Sequence, residues 1–257
     1  MFSVSKLSRD AMPLMRQAYL RISPTVMPVR HLNLHEYQSK DLMNEYGINT
    51  QKFKLVTSAD GAADVASSLN VPEYVIKAQV HAGGRGKGTL SSGLKGGVHL
   101  TRDPKVAEDL TRQMLGYNIF TQQTPPEGVT VKSVMIAQAL DIAHESYFAI
   151  LMDRGFGGPV LVASPQGGMD IEAVAEETPE LIYKQAVDIS KGLAPADVMD
   201  LVEKMGFTDD KSKAEAADQI ARLYKLFIDV DATQVEINPF GKDTDGNVIE
   251  IRCHLAH

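Results

Sequence analysis

The chain has 257 residues, 44% apolar and 23% charged, with a formal net charge of −7. That size admits one or two domains with apolar residue enough for a core, and the excess of acid excludes non-specific binding of nucleic acid. The single cysteine, Cys253, excludes an internal disulfide, and no apolar run reaches the ~20 residues that cross a bilayer.

Residues 1–31 differ from the rest. They carry Lys6, Arg9, Arg16, Arg21 and Arg30 against one acid, Asp10. Arg-rich, Ser-containing and acid-poor is the pattern of a mitochondrial transit peptide. Pro13, Pro24 and Pro28 interrupt its apolar residues, so it is not a secretory leader; a basic tail is the alternative. Without this segment, 21 bases face 32 acids, a net of −11.

"NLHEYQSKDLMNEYG" predicts a helix with Asn33 as cap, Leu34, Tyr37, Leu42 and Tyr46 on one side, and Gly47 at its end. "QKFKLVT" alternates as a strand. "SADGAADVASSLN" predicts a helix capped by Ser58 or Asp60, and "EYVIKAQV" a strand that runs into a glycine-rich loop. In "TRDPKVAEDLTRQML", Asp103 and Pro104 mark a helix start. "VTVKSVMIAQAL", "ESYFAILMD" and "PVLVAS" predict three strands, with "RGFGG" as a hairpin turn between the last two. Helices follow near 178–191, 195–205 and 212–229, the third with Ala217, Ile220, Leu223 and Leu226 or Phe227 on an apolar stripe. "TQVEINPF" and "NVIEIR" close the chain as short strands joined by the turn "GKDTDG". Helices and strands do not alternate strictly, which predicts α+β layers and not a doubly wound sheet.

The loop "KAQVHAGGRGKG" fits neither common phosphate motif. Walker A needs Ser or Thr after Gly86-Lys87, where Gly88 stands, and the Rossmann spacing fails at Gly84, Gly86 and Gly88. A flexible lid whose backbone N–H groups and cations close on an anion fits better; a mobile surface loop is the plain alternative. Lys77 lies inside the strand among Val75, Ile76, Ala78 and Val80. Buried there, it needs an anionic partner; otherwise it faces solvent.

"VEINPF" puts Glu236 and Asn238 on one strand face, with Pro239 expected to stop the strand. Two oxygen donors suit Mg²⁺, which shares them with phosphates, though most such pairs decorate surfaces. Glu145 stands at a strand mouth, where its carboxylate can accept from a ribose hydroxyl, lie near the metal, or be a solvated charge. His81, His99 and His144 have no metal-ligand spacing and read as hydrogen-bonding residues.

"LNLHEYQSK", "KAQVHAGGRGKG", "SGLKGGVHL", "ASPQGGMDIEAVAEETPELI" and "DATQVEINPF", in that order, resemble the succinyl-CoA synthetase (succinate–CoA ligase) β-subunit family over residues 32 to about 250. The resemblance implies an ATP-grasp fold across 32–257, with a lid subdomain at about 60–140. It implies a subunit that binds Mg²⁺ and GTP or GDP, with ATP or ADP as the alternative. In that family an α subunit carries CoA and a phosphohistidine, through which phosphate passes between nucleotide and succinate in the citric acid cycle. A mitochondrial matrix heterodimer is thus expected, and no histidine here takes the phosphohistidine's place. Carried over, Lys77 meets the nucleotide phosphates, Gly84, Arg85 and Gly86 lie at the nucleotide, Glu145 is a nucleotide-site carboxylate and Asn238 a Mg²⁺ ligand. Gln51 and Leu140 resemble the GTP-specific form; a Gln amide offers guanine both a donor and an acceptor.

Three departures stand against the family pattern. Gln138 replaces a usual Glu. Arg252 stands where the family has an Asp that binds Mg²⁺, and a cation there repels a metal. The family's C-terminal domain, which meets the α subunit, does not follow. A truncated, catalytically inactive nucleotide-binding fragment is therefore an alternative expectation.

Overall fold

The computed structural model describes residues 33–168, 171–251 and 253–256. The presequence reading and Arg252 lie outside the described residues. Helix α1 (Glu36–Glu45) starts two residues later than a cap at Asn33 would place it. His35 occupies the N-cap position, and its backbone N–H donates to Gln38 Oε1 at 2.9 Å. Asn33 is drawn instead into a β-bridge with Ala256. The expected apolar side is only half-buried. The buried face is Glu36, Ser39, Lys40 and Met43, a helical repeat of 3, 1 and 3 residues written largely in polar side chains.

Strand β1 (Phe53–Val56) leads to α2 (Ala62–Ser67), β2 (Tyr74–Ala78), β3 (Thr89–Leu90), β4 (Val98–Thr101), α3 (Pro104–Met114), β5 (Asn118–Phe120), β6 (Val129–Thr130) and β7 (Val134–Gln138). Helix α2 is capped by neither Ser58 nor Asp60. Those two close a local turn on each other, Asp60 N–H to Ser58 Oγ at 3.2 Å, and Gly61 at φ +82° takes the cap position. Asp103 caps α3 as expected, accepting from Lys105 N–H at 2.8 Å. "VTVKSVMIAQAL" divides into β6 and β7, which belong to different sheets. One antiparallel sheet runs β1-β7-β2-β4; a small one runs β3-β5-β6.

The second half adds β8 (Ile142–Asp153), β9 (Gly158–Ser164), α4 (Ile171–Glu177), β10 (Tyr183–Ala186), α5 (Pro195–Lys204), α6 (Asp210–Asp229), β11 (Gln234–Asp243), β12 (Val248–Glu250) and β13 (Cys253–Ala256). The helix expected near 178–191 is not formed. A 3₁₀ turn at Pro179–Leu181 precedes β10, which pairs with the edge of β9, Tyr183 opposite Ala163. The sheet runs β10-β9-β8-β11, and β12 and β13 share the far edge of β11 end to end. Pro239 does not stop the strand. The register of β11 against β8 shifts between Ile237 and Phe240, so Asn238 and Pro239 sit in a bulge, where a proline's missing N–H is tolerated. Their peptide bond is cis.

Among the described residues three apolar clusters form, a small one around Tyr147, Ala149, Val160 and Val162 and two larger ones with no residue in common. One gathers Val56, Ile76, Met114, Ile119 and Ile136 under the first sheet. The other packs α5 and α6 on the second sheet through Val202, Ile220, Leu223 and Phe227. At its centre Phe240 is fully buried, edge-on to Phe207 and tilted against Phe148. Phe240→Ala should cost about 3–5 kcal/mol of stability, read as a lower urea midpoint.

Candidate functional site

The glycine loop leaves β2 and turns at once. Gly84, at φ +70°, opens a 3₁₀ turn over Arg85–Lys87, a backbone region that L side chains rarely adopt. Backbone bonds tie the loop to the next segment: Gly97 N–H donates to Arg85 O and Gly96 N–H to Gly88 O, both at 2.7 Å. Gly83 N–H donates to Gln123 Oε1, also at 2.7 Å. The segment read as a flexible lid is therefore held on both sides. Gly86 is exposed beside Lys87.

All five residues of β2 are buried, Lys77 among them. Its partner is Glu36, on the first turn of α1. Lys77 Nζ lies 2.9 Å from Glu36 Oε1, and Arg85 Nη2 lies 2.7 Å from Glu36 Oε2. Arg85 Nη1 also donates to Ala78 O at 2.7 Å. Burial alone would raise the Glu36 pKa; Lys77, then Arg85, then Lys40 outweigh it and hold the carboxyl far below its ordinary range. Strand lysine and loop arginine, far apart in local structure, are joined by one buried carboxylate.

A second buried layer lies one helical turn on. Lys40 is fully buried and donates to Gln51 Oε1 and to Glu250 O, both at 3.3 Å. Burial, then Lys77, pulls its pKa down to about 8. Glu250 is equally buried, and neither carboxylate oxygen has a hydrogen-bond partner among the described residues. Burial pushes its pKa well above the usual carboxylate range, which Lys40 only partly opposes. Gln51 spends both ends of its amide inside the protein, since Nε2 donates to Gln138 O at 3.2 Å. Leu140 lies half-buried two residues beyond, between β7 and β8.

The other expected residues meet at the β11 bulge. Asn238 Oδ1 accepts from Gly168 N–H at 2.7 Å. A Cβ on Gly168 would lie 2.2 Å from Glu145 Oε2, so Glu145 and Asn238 flank the same glycine. Its neighbour Gly167 presses on the Ser146 backbone, where a Cβ would lie 2.2 Å from the carbonyl oxygen. Glu236 accepts from Gln234 Nε2 at 3.0 Å. Its cross-strand partner is His254 on β13, and His254 is near enough to His81 to help lower the His81 pKa, after burial. His81 in turn stacks on His35, with ring centroids 3.8 Å apart. Strand β13 thus brings the bulge strand towards the base of the glycine loop. His99 and His144 each hydrogen-bond a backbone carbonyl at 2.8 Å, as their lack of ligand spacing implied.

Among the described residues no three His, Cys, Asp or Glu side chains converge as a metal cage. Glu145 and Asn238 form a smaller oxygen-donor set. Such a set fits Mg²⁺, which is usually held by one or two carboxylates and completed by phosphates and water. Glu36, Lys40 and Glu250 were not singled out from sequence. An acid and a base four apart on a helix read as a solvated pair; only the 36-39-40-43 repeat hinted at a buried face.

A buried lysine in the first sheet and an arginine in the glycine loop thus converge on one carboxylate from α1. The family model for the ATP-grasp domain matches residues 33–242, and the chain belongs to that family. Its relatives narrow this further. It is 58% identical over 231 residues, 90% of this chain and 54% of the relative, to the mitochondrial GDP-forming succinate–CoA ligase subunit β of Dictyostelium discoideum. Identity to the Homo sapiens counterpart is 55% over 220 residues, 86% of this chain and 51% of the relative. To the mitochondrial ADP-forming subunit β of Saccharomyces cerevisiae it is 44% over 224 residues, 87% of this chain and 52% of the relative. The chain spans about half the length of the curated relatives it matches. Among solved structures, ATP citrate lyase from Methanothrix soehngenii superposes with a TM-score of 0.64 at 20% identity, over 88% of this chain and 51% of that one. A dinucleotide-forming acetyl-coenzyme A synthetase from Ca. Korarchaeum cryptofilum gives 0.63 at 15% identity, over 87% and 92%. These likenesses bear on the fold.

Glu250 supplies a test of the buried layer. Above the ordinary carboxylate pKa of 4.5 the unfolded chain ionises Glu250 while the folded chain keeps its proton, so stability falls as pH rises from there. Glu250→Met should raise stability by about 1–3 kcal/mol near neutral pH. Its advantage over the wild type should widen from pH 4.5 upward, as read by thermal unfolding across pH.

Proposed function

We propose that this chain is the nucleotide-binding part of a mitochondrial succinate–CoA ligase β subunit. It couples GTP and GDP to the interconversion of succinate plus CoA with succinyl-CoA, through a phosphohistidine on an α subunit. The observation that carries this reading is the buried Lys77–Glu36–Arg85 bridge at the foot of the glycine loop. Together with Lys40 it sets three cations against Glu36 and a Glu250 that burial disposes to stay neutral. A site with surplus positive charge and little water attracts polyanions strongly.

In this reading Lys77 and Arg85 neutralise the phosphates, and the backbone at Gly84 and Gly86 lets them approach closely. Glu145 and Asn238 would hold Mg²⁺, which when bound shares its charge with the phosphate oxygens. Gln51 and Leu140 lie at the base. Gln51 already spends one acceptor site on Lys40 and one N–H on Gln138, which leaves less for guanine and supports an ATP-specific site as the second reading. The higher identity to GDP-forming relatives, 47–58% against 44% to the ADP-forming one, supports guanine. The relatives' naming supports a mitochondrial location and an α-subunit partner.

Calorimetric titration of the 257-residue chain with GTP and ATP, with and without Mg²⁺, tests the proposal. Mg²⁺-dependent binding that favours GTP is expected, and Lys77→Met should weaken it about tenfold or more, ~1.4 kcal/mol. Binding of neither nucleotide by folded protein would overturn the reading.

A further inference from the structure

We infer that Glu36 is a positioning residue for the phosphate-binding cations: its two carboxylate oxygens hold Lys77 and Arg85 at a fixed separation before any anion arrives. The inference rests on the phosphate reading of those two cations. Its own ground is geometric. Oε1 meets Lys77 Nζ at 2.9 Å and Oε2 meets Arg85 Nη2 at 2.7 Å, so each oxygen serves one cation. The Glu36 side chain is almost wholly buried, at 3% exposure, and is not a surface ion pair that solvent would loosen. It sits on the first turn of α1, where the helix dipole favours a carboxylate.

The same turn of α1 grips the strand and loop in two further places. Tyr37 N–H donates to Gln79 Oε1 at 3.3 Å, and His35 stacks on His81. Glu36 is thus the charged contact within a clamp that fixes where strand ends and loop begins. An ammonium has three N–H donors and a guanidinium five. Arg85 spends one on Glu36 and one on Ala78 O and has three more N–H groups, so the carboxylate orients it without taking the place of a phosphate. Pre-set charge of this kind lowers the cost of ordering the site when ligand binds.

The opposite possibility is that Glu36 competes with phosphate as an internal anion. The two make opposite predictions for Glu36→Gln. Among the described residues, Glu36 and Lys40 from α1 lie near Lys77, Arg85 shares Glu36 with it, and Glu250 of β12 lies near Lys40. Removing the Glu36 charge takes from Lys77 the anion 2.9 Å away, so its proton should leave at lower pH than in the wild type.

The test uses the 257-residue chain, wild type, E36Q and E36D. Affinity for inorganic triphosphate with Mg²⁺ is measured by calorimetry. The pH at which Lys77 becomes reactive to an amine-acylating reagent is followed separately by mass spectrometry, without ligand. E36Q should weaken triphosphate binding at least tenfold and bring on Lys77 acylation at least one pH unit earlier. E36D keeps the charge on a shorter arm, so it should return the onset towards wild type while affinity stays reduced; it is the variant to read wherever E36Q does not fold. A merely structural ion pair would move the acylation onset and leave triphosphate affinity unchanged, and that outcome would overturn the inference. Tighter triphosphate binding by E36Q would make Glu36 a competitor and overturn the inference, as would an unchanged onset with unchanged affinity. A wild-type chain that binds no triphosphate, with the onset still shifted, overturns the phosphate reading alone.

Discussion

A cation buried in the centre of a sheet must have an anion beside it, and much of this structure follows from how that demand is met. Lys77 occupies a strand buried on both faces. Leaving it unpaired there would cost several kcal/mol. The carboxylate comes from a helix 41 residues earlier in the chain. Meeting the demand therefore fixes the first turn of α1 against β2, and with it the loop whose Arg85 shares the same carboxylate. The polar stripe of α1 is the sequence record of that constraint.

The fold was legible where local chemistry and tertiary pairing agree. Asp103-Pro104 starts α3, "RGFGG" turns the β8–β9 hairpin, and the stripe through Ile220 and Leu223 buries α6. Reading failed where long-range pairing overrode local preference. Residues 183–186 look helical in isolation but complete the edge of β9, and Asn33, a good helix cap, is taken by a bridge to Ala256. Pro239 punctuates a strand in sequence, yet a shift in register absorbs it.

The candidate site was legible in halves. The isolated lysine of "EYVIKAQV" announced that it needed an anion, and the glycine spacing marked a close approach. Glu145 and Asn238 were readable as separate oxygen donors, but only Gly168, 70 residues from Asn238, shows that they flank one point. Glu36, Lys40 and Glu250 carried no such mark, because a charge destined for burial looks like any other charge until its neighbours are known. Gln51 shows the reverse: its amide suggested an outward-facing reader, and the structure turns both ends inward to Lys40 and Gln138.

The two larger apolar clusters share no residue, and polar side chains of α1 reach towards both sheets: Glu36 meets Lys77 of β2, and Lys40 bonds Gln51, beside β1, and Glu250 O of β12. That polar seam works like the fluid film between two bearing surfaces. An anion bound as proposed would exchange one set of charged contacts for another along the film, with the apolar side chains on either side left packed. Substitutions within either core therefore act on stability, whereas those in the seam, such as at Glu36 or Glu250, act on stability and on the charge offered to a ligand together.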